Sequence, residues 1–152
     1  QLTSKTNQFN LTTKRYSKEE INNMIKDKNF LVFSLKVEDK FGNLGLTGLS
    51  IIKLINNKSF AEIDIFLLSC RIIGRKIEDT FLSHIIQILK SKGIIKINAL
   101  YVKTIKNEIV SNFYQKFGFD IKSDDNNRKV YELDSQSFTF KDSKLFKVTI
   151  GK

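Results

Sequence analysis

Hydrophobic residues along this chain change their spacing repeatedly, and each change marks a new kind of element. A polar opening, QLTSKTNQFNLTTKRY (1–16), gives way to Ile21, Met24 and Ile25, spaced as one edge of a helix. SKEE just ahead places Ser17 as a cap and Glu20 three residues on, the reciprocal capping pattern, so a short helix is expected from Ser17 to about Lys28. The period then shortens. FLVFSLKVED (30–39), LGLTGLSIIKLI (44–55) and FAEIDIFLLS (60–69) read as strands separated by the turns KFGN and NNKS, and connections this short predict an antiparallel meander.

Helical spacing returns with Ile77, Phe81, Ile85, Ile88 and Leu89 before the stop signal Gly93, a helix of roughly four turns. IIKINALYV (94–102) is a strand and IKNEIVSNFYQKF (105–117) a second amphipathic helix; FDIK and KVYELD pair across the polar turn SDDNNR. A strand, a crossover helix and a second strand make 60–68 and 94–102 parallel neighbours. The expected fold class is α+β: a mixed central sheet flanked by helices. One domain over 17–134 is expected, with a linker segment at 1–16 and an extension at 135–152 in which KLFKVTI reads as an edge strand or an ordered tail.

Composition narrows the function classes more than it selects one. With 152 residues, 41% hydrophobic content and thirteen Phe, the chain can fill a core. No apolar run approaches the ~20 residues that cross a bilayer, and the first residues lack the hydrophobic stretch of a secretory signal, so a soluble, cytoplasmic protein is expected. One cysteine and one histidine exclude an internal disulfide and give no metal-ligand cluster. The chain begins at Gln1 rather than methionine, which reads as a domain of a longer protein or a processed one. A net charge of +10 favours anionic partners, although a general bias toward Lys, Ile and Asn accounts for the same figure. No RNP-like aromatic motif, helix-turn-helix signal or basic repeat supports nucleic acid.

Charge becomes informative where it clusters. FLLSCRIIGRKIED (66–79) takes a buried strand through a basic turn into a helix. A helix start offers backbone N–H groups and positive potential, Gly74 lets the backbone approach closely, and Arg71, Arg75 and Lys76 add cations: a phosphate cradle, or else a solvated basic turn. Asn107 and Tyr114, two helical turns apart, would line one groove beside Val110, Phe113 and Phe117. Glu62 and Asp64 alternate with Ile63 and Ile65, so both carboxylates share one side of the central strand; either can serve as a general base, or form a salt bridge to Lys or Arg on an adjacent strand. Cys70, beside Arg71 and the helix start, reads as a buried free thiol or as a nucleophile for a thioester. His84 reads as a packing or boundary residue rather than a base. The polar run Lys5, Thr6, Asn7, Gln8, Asn10 and Thr12 either contacts a ligand over the cleft or docks the linker.

R-x-x-G-R-K at a strand-to-helix turn, followed one βα unit later by N-x-x-V-x-x-F-Y-x-x-x-G-F, resembles the two acyl-CoA motifs of the GNAT acyltransferase superfamily in order and spacing. Lys76 stands where that superfamily keeps a second small residue, and Val110 where it usually has Ala. The stretches QLTSKTNQFNLTTKRYS, EIDIFLLSCRIIGR and ALYVKTIKN are similar, more narrowly, to the C-terminal GNAT-like domain of FkbH-like proteins of glyceryl- and methoxymalonyl-carrier-protein biosynthesis, over residues 1 to about 120. The resemblance implies a GNAT-like fold that binds an acyl-CoA (acetyl-CoA) or a carrier-borne acyl-phosphopantetheine thioester. It implies an acyl carrier protein and an upstream HAD-type domain as partners; the acidic D-x-D-x-T or V segment of the latter is missing here. Arg71, Gly74, Arg75 and Lys76 would hold phosphate, Asn107 would hydrogen-bond the pantetheine arm, and Tyr114 would protonate the departing thiolate. The alternative is a non-catalytic GNAT-like domain that docks a carrier protein or orients the upstream domain.

Overall fold

A computed structural model gives the architecture, described here for residues 8–55 and 57–151. In chain order the elements are α1 (Lys18–Lys26), β1 (Phe30–Asp39), β2 (Gly42–Ile55), β3 (Phe60–Leu68), α2 (Ile77–Ser91), β4 (Lys96–Val102), β5 (Asp120–Asp124) and β6 (Arg128–Asp134). Three 3₁₀ turns lie at Glu108–Val110, Tyr114–Phe117 and Ser135–Ser137. The strands form one six-stranded sheet in the order β1-β2-β3-β4-β6-β5. Of the paired strands only β3 and β4 run parallel, joined by the crossover through α2; the meander β1-β2-β3, the pair β4-β6 and the hairpin β5-β6 are antiparallel.

The two faces carry separate apolar clusters. On one, Phe81, Leu82, Ile85 and Leu89 of α2 pack on Ile52, Ile63, Phe66 and Leu68. On the other, Leu49, Ile51, Ile65 and Leu67 are covered by Ile21 and Met24 of α1 and by Tyr16. α1 starts on the expected cap: the Ser17 side chain accepts from Glu20 N–H and the Glu20 carboxylate accepts from Ser17 N–H. Ile25, expected on its apolar edge, is exposed.

One expectation fails. Residues 105–117 do not form an α-helix but wind through successive i to i+3 bonds, Val110 N–H to Asn107 and Phe113 N–H to Val110 among them. The buried positions explain why: Asn107, Val110 and Phe113 recur every third residue, the 3₁₀ period, in a stretch where Ile109, Val110, Ser111 and Asn112 favour an α-helix little. KLFKVTI takes the second of its two readings, an ordered tail instead of an edge strand. After Ser135–Ser137 the tail has no regular structure, and Phe138, Phe140 and Phe146 pack onto the α2-face core.

β3 carries the irregularity that matters most. Ile51 pairs with Ile65 but Ile52 pairs with Ile63, so Asp64 is an extra residue on β3, a bulge. It reverses which side chains face α2: Ala61 and Ile63 before it, Phe66 and Leu68 after. The parallel pairing of β3 with β4 stops at the same place, at Ile63 with Ala99. Beyond it, β3 stays with β2 and β4 stays with β6 to their ends, so the sheet forks.

Candidate functional site in the β3–β4 fork

The basic turn stands at the open end of the fork, where β3 leads into α2. Gly74 takes φ +80, and Lys76, at the N-cap of α2, takes φ +63 with no side-chain cap. Arg71, Gly74, Arg75 and Lys76 are all exposed. Arg71 Nε donates to Ser69 Oγ (3.3 Å), and Arg75 lies 3.6 Å from Asp39. The left-handed backbone at Lys76 accounts for the small residue usual at this place of the motif, since a side chain there costs about 1–2 kcal/mol.

One carboxylate of the chain itself reaches into this turn. The Glu78 carboxylate, 8% exposed, accepts from Gly74 N–H through Oε1 (3.1 Å), while its Oε2 is buried without a protein partner. Sequence reasoning missed Glu78, because an acid in the first turn of a helix is unremarkable for its dipole alone.

The segment after β4 is built inward. Asn107 is fully buried, and its side chain makes four bonds. Oδ1 accepts from Thr104 N–H (2.8 Å) and the Tyr101 hydroxyl (3.2 Å); Nδ2 donates to the carbonyls of Val102 (2.9 Å) and Asn10 (3.0 Å). Both donor hydrogens and the acceptor are engaged, which corrects the expectation that Asn107 reaches a pantetheine arm. Tyr114 is 1% exposed, stacked among Phe113, Phe119 and Tyr131, and its hydroxyl has no protein partner. Burial, with Tyr131 adding to it, pushes this phenol far above its ordinary range, so it stays protonated. Asn107 and Tyr114 therefore do not line an open groove together.

The carboxylates lie on the other face. Both oxygens of Asp64, 5% exposed, are engaged: Lys14 Nζ pairs with Oδ1 and the Tyr16 hydroxyl donates to Oδ2 (2.7 Å). The salt-bridge reading describes Asp64 better than the base reading, with the cation on the N-terminal segment instead of a neighbouring strand. Burial and then the Asp64 bond push the Tyr16 phenol up. Glu62 is half-buried opposite Lys53 and Asn98. Tyr114 belongs to the α2-face core and Tyr16 to the α1-face cluster, so the candidate acid and the candidate base Asp64 are not brought together. Cys70 is exposed in the turn, correcting the buried reading. His84 Nδ1 is 2.9 Å from the Thr80 carbonyl and its ring stands edge-on to Phe140, a boundary position. Among the described residues no group of His, Cys, Asp or Glu could hold a metal ion.

The fork itself is filled by residues 9–12. Leu68 N–H donates to the Phe9 carbonyl (3.0 Å), Leu11 N–H to the Phe66 carbonyl (3.3 Å), and Val102 N–H to the Leu11 carbonyl (2.8 Å). Thr12 Oγ1 donates to the Asp64 carbonyl (3.0 Å). Phe9 and Leu11 are 1% and 0% exposed. Asn10 and Thr12 thus dock the segment, the second of the two readings offered for the polar run, whereas Lys5, Thr6 and Asn7 lie outside the described residues.

A mixed six-stranded sheet with one forked parallel pair and a helix starting at the fork has counterparts of known structure. The ribosomal-protein-S18-alanine N-acetyltransferase of Escherichia coli superposes with a TM-score of 0.65 at 12% identity, over 96% of this chain and 89% of that one. The chain has the GNAT acyltransferase fold. Tetrahymena GCN5 is similar with a TM-score of 0.58 at 13% identity (82% and 80% of the two chains). The PaiA N-acetyltransferase of Thermoplasma acidophilum, solved in complex with coenzyme A, gives 0.54 at 23% identity (78% and 80%). No family model and no curated protein matches the sequence. Among the described residues no helix is long and apolar enough to cross a membrane.

Proposed function

We propose that this GNAT-fold chain is the thioester-recognition domain of an acyl-transfer protein of the FkbH-like kind, acting on a carrier-protein-bound acyl-phosphopantetheine in preference to free acyl-CoA. The observation that carries the reading is the Glu78 carboxylate on Gly74 N–H, inside a turn whose cations, Arg71, Arg75 and Lys76, all face solvent. A diphosphate laid into that turn meets a buried negative charge. A single phosphate on a carrier-borne arm is served by the exposed cations alone, and a net charge of +10 suits an acidic carrier surface. The domain works in the cytoplasm beside a HAD-type partner that supplies the glyceryl or related acyl group for polyketide-type biosynthesis. As arranged here, Glu78 opposes a second phosphate in the turn, and residues 9–12, which hold the fork, must give way to the pantetheine arm of either thioester.

A second reading, a non-catalytic domain that docks a carrier protein or orients an upstream domain, is favoured by the internal engagement of Asn107 and Asp64. Calorimetric titration of the chain with acetyl-CoA, with an acyl-loaded acyl carrier protein and with the unloaded apo-carrier separates the two. The thioester reading expects the loaded carrier to bind at least about tenfold more tightly than apo-carrier, a difference of about 1.4 kcal/mol. Equal binding of loaded and apo-carrier favours docking, and binding of neither would sink both. Glu78→Gln is expected to admit acetyl-CoA more tightly than the unaltered chain, since it removes the buried charge and keeps an acceptor for Gly74 N–H. An unchanged affinity would show that Glu78 does not decide between the two thioesters.

A further inference from the structure

We propose that residues 8–12 form a displaceable strand that closes the β3–β4 fork and must swing out on Thr13 before any extended ligand can lie there. Where β3 and β4 part, their facing N–H and C=O groups lose the partners a continuous sheet would give them, and something must satisfy them. Here the chain satisfies them itself. Leu68 N–H, the Phe66 carbonyl and Val102 N–H all bond to residues 9–11, and Asn10 pairs with Leu67 in an isolated antiparallel bridge. An extended ligand carrying amides would compete for the same three groups, so occupant and ligand exclude each other.

The way the segment is held marks it as separable from the sheet. It makes one bridge where β2 and β3 share a full ladder, a single backbone bond reaches β4, and its other ties to the body are two side-chain bonds, Asn107 Nδ2 to the Asn10 carbonyl and Thr12 Oγ1 to the Asp64 carbonyl. It ends on Thr13, a β-branched residue at φ +60, a conformation that such residues rarely adopt. That turn is held by Thr13 N–H donating to Asn10 Oδ1 (3.0 Å), a bond internal to the segment. Immediately afterwards Lys14 and Tyr16 clamp the chain to Asp64, so withdrawal of residues 8–12 leaves the α1 face anchored. Phe9, edge-on to Phe113 at 4.9 Å, and Leu11 supply the closing force by burial.

The proposal rests on the thioester reading only for the identity of the ligand, and the experiment keeps the two apart. Amide hydrogen exchange of the unligated chain is expected to show Leu11, Leu68 and Val102 exchanging as one group, at least about tenfold faster than Ile51 and Ile65 in the β2–β3 ladder. Exchange of all five at one rate would make the segment an integral strand and overturn the proposal. Phe9→Ala should speed the first group alone; equal acceleration of the ladder overturns it as well. Should that variant fail to fold, the exchange pattern of the unaltered chain still decides. With pantetheine as the probe, Leu11 should lose protection while Leu68 and Val102 keep theirs, because the ligand takes over their bonds. Pantetheine binding with Leu11 still protected overturns displacement. Group opening without any pantetheine binding leaves the displaceable strand standing and removes the thioester reading.

Discussion

Two segments follow the two prongs of the fork, and they treat their polar groups in opposite ways. Residues 69–76, after β3, turn Arg71, Arg75 and Lys76 outward, and their one ion pair, Arg75 with Asp39, is a surface contact. Residues 103–119, after β4, bury Asn107, Val110, Phe113, Tyr114 and Phe119 and tie the loop together through the Asn107 amide. Each segment carries half of an acyl-CoA-like sequence motif. Only the first has its charged groups available; the second uses its motif residues to hold the loop, the fork and the N-terminal segment in one network. A side chain that fits a motif can therefore serve architecture, and its hydrogen-bond inventory tells the two uses apart.

The largest expected effect tests that contrast directly. Asn107→Ala removes the partner of the buried Asn10 carbonyl and of the part-buried Thr104 N–H and Val102 carbonyl, and leaves the Tyr101 hydroxyl only its long bond to the residue 107 carbonyl (3.5 Å). Unsatisfied buried groups cost about 1–3 kcal/mol each, and partial relaxation makes a total loss of about 3–5 kcal/mol reasonable. Denaturant unfolding measures it. A loss below about 1 kcal/mol would mean the network is not what holds the second segment.

How much of this could be read before the structure follows the same division. The meander, the crossover helix, the parallel pair and the Ser17 cap rest on local periodicity and on short connections, which the sequence carries in full. The fork does not, since it arises from one extra residue, Asp64, whose place in the alternation of β3 looks ordinary. The 3₁₀ winding of the second segment turns on which of two close periods, three or 3.6, the buried side chains obey, and that is settled by packing against Phe9 and the sheet. The basic turn was legible as charge. Its occupation by Glu78 was not, because the carboxylate reaches back four residues through space to Gly74.

Alkaline pH should loosen the second segment before the first. Tyr101, Tyr114 and Tyr131 all lie in or against it, and burial, the leading cause in each case, raises all three phenols, Tyr131 to about 12. An unfolded chain releases these protons near pH 10, whereas the folded chain holds them to higher pH. Stability contributed this way is fully present below pH 10 and is lost as the pH climbs through the folded values. Thermal unfolding followed from neutral pH upward should stay level to about pH 9.5 and then fall steeply. A decline that begins near pH 8 would point to another group.

Tyr114→Phe sharpens the comparison from the opposite direction. The hydroxyl is buried and lacks a protein partner, so removing it should stabilise the fold by about 1 kcal/mol in denaturant unfolding. If transfer chemistry does use this phenol, the same variant loses turnover while gaining stability, a combination that a packing role does not produce. A destabilised Tyr114→Phe would show that the hydroxyl is satisfied in solution, by water.

The smaller effects belong to the exposed turn. Lys76→Gly relieves a left-handed backbone and should add about 0.5–1 kcal/mol, part of the relief being returned through the greater freedom of glycine in the unfolded chain. Arg71→Ala should move stability by less than about 0.5 kcal/mol, because the side chain is exposed and its hydrogen bond goes to neighbouring Ser69. Its effect should appear instead in retention of the loaded carrier protein, weakened at low salt and less so at high salt, as expected for a solvent-facing cation. If Arg71→Ala cost stability on the scale of Asn107→Ala, the two segments would not differ in kind, and the turn would have to be counted as part of the folded core instead of an exposed basic surface.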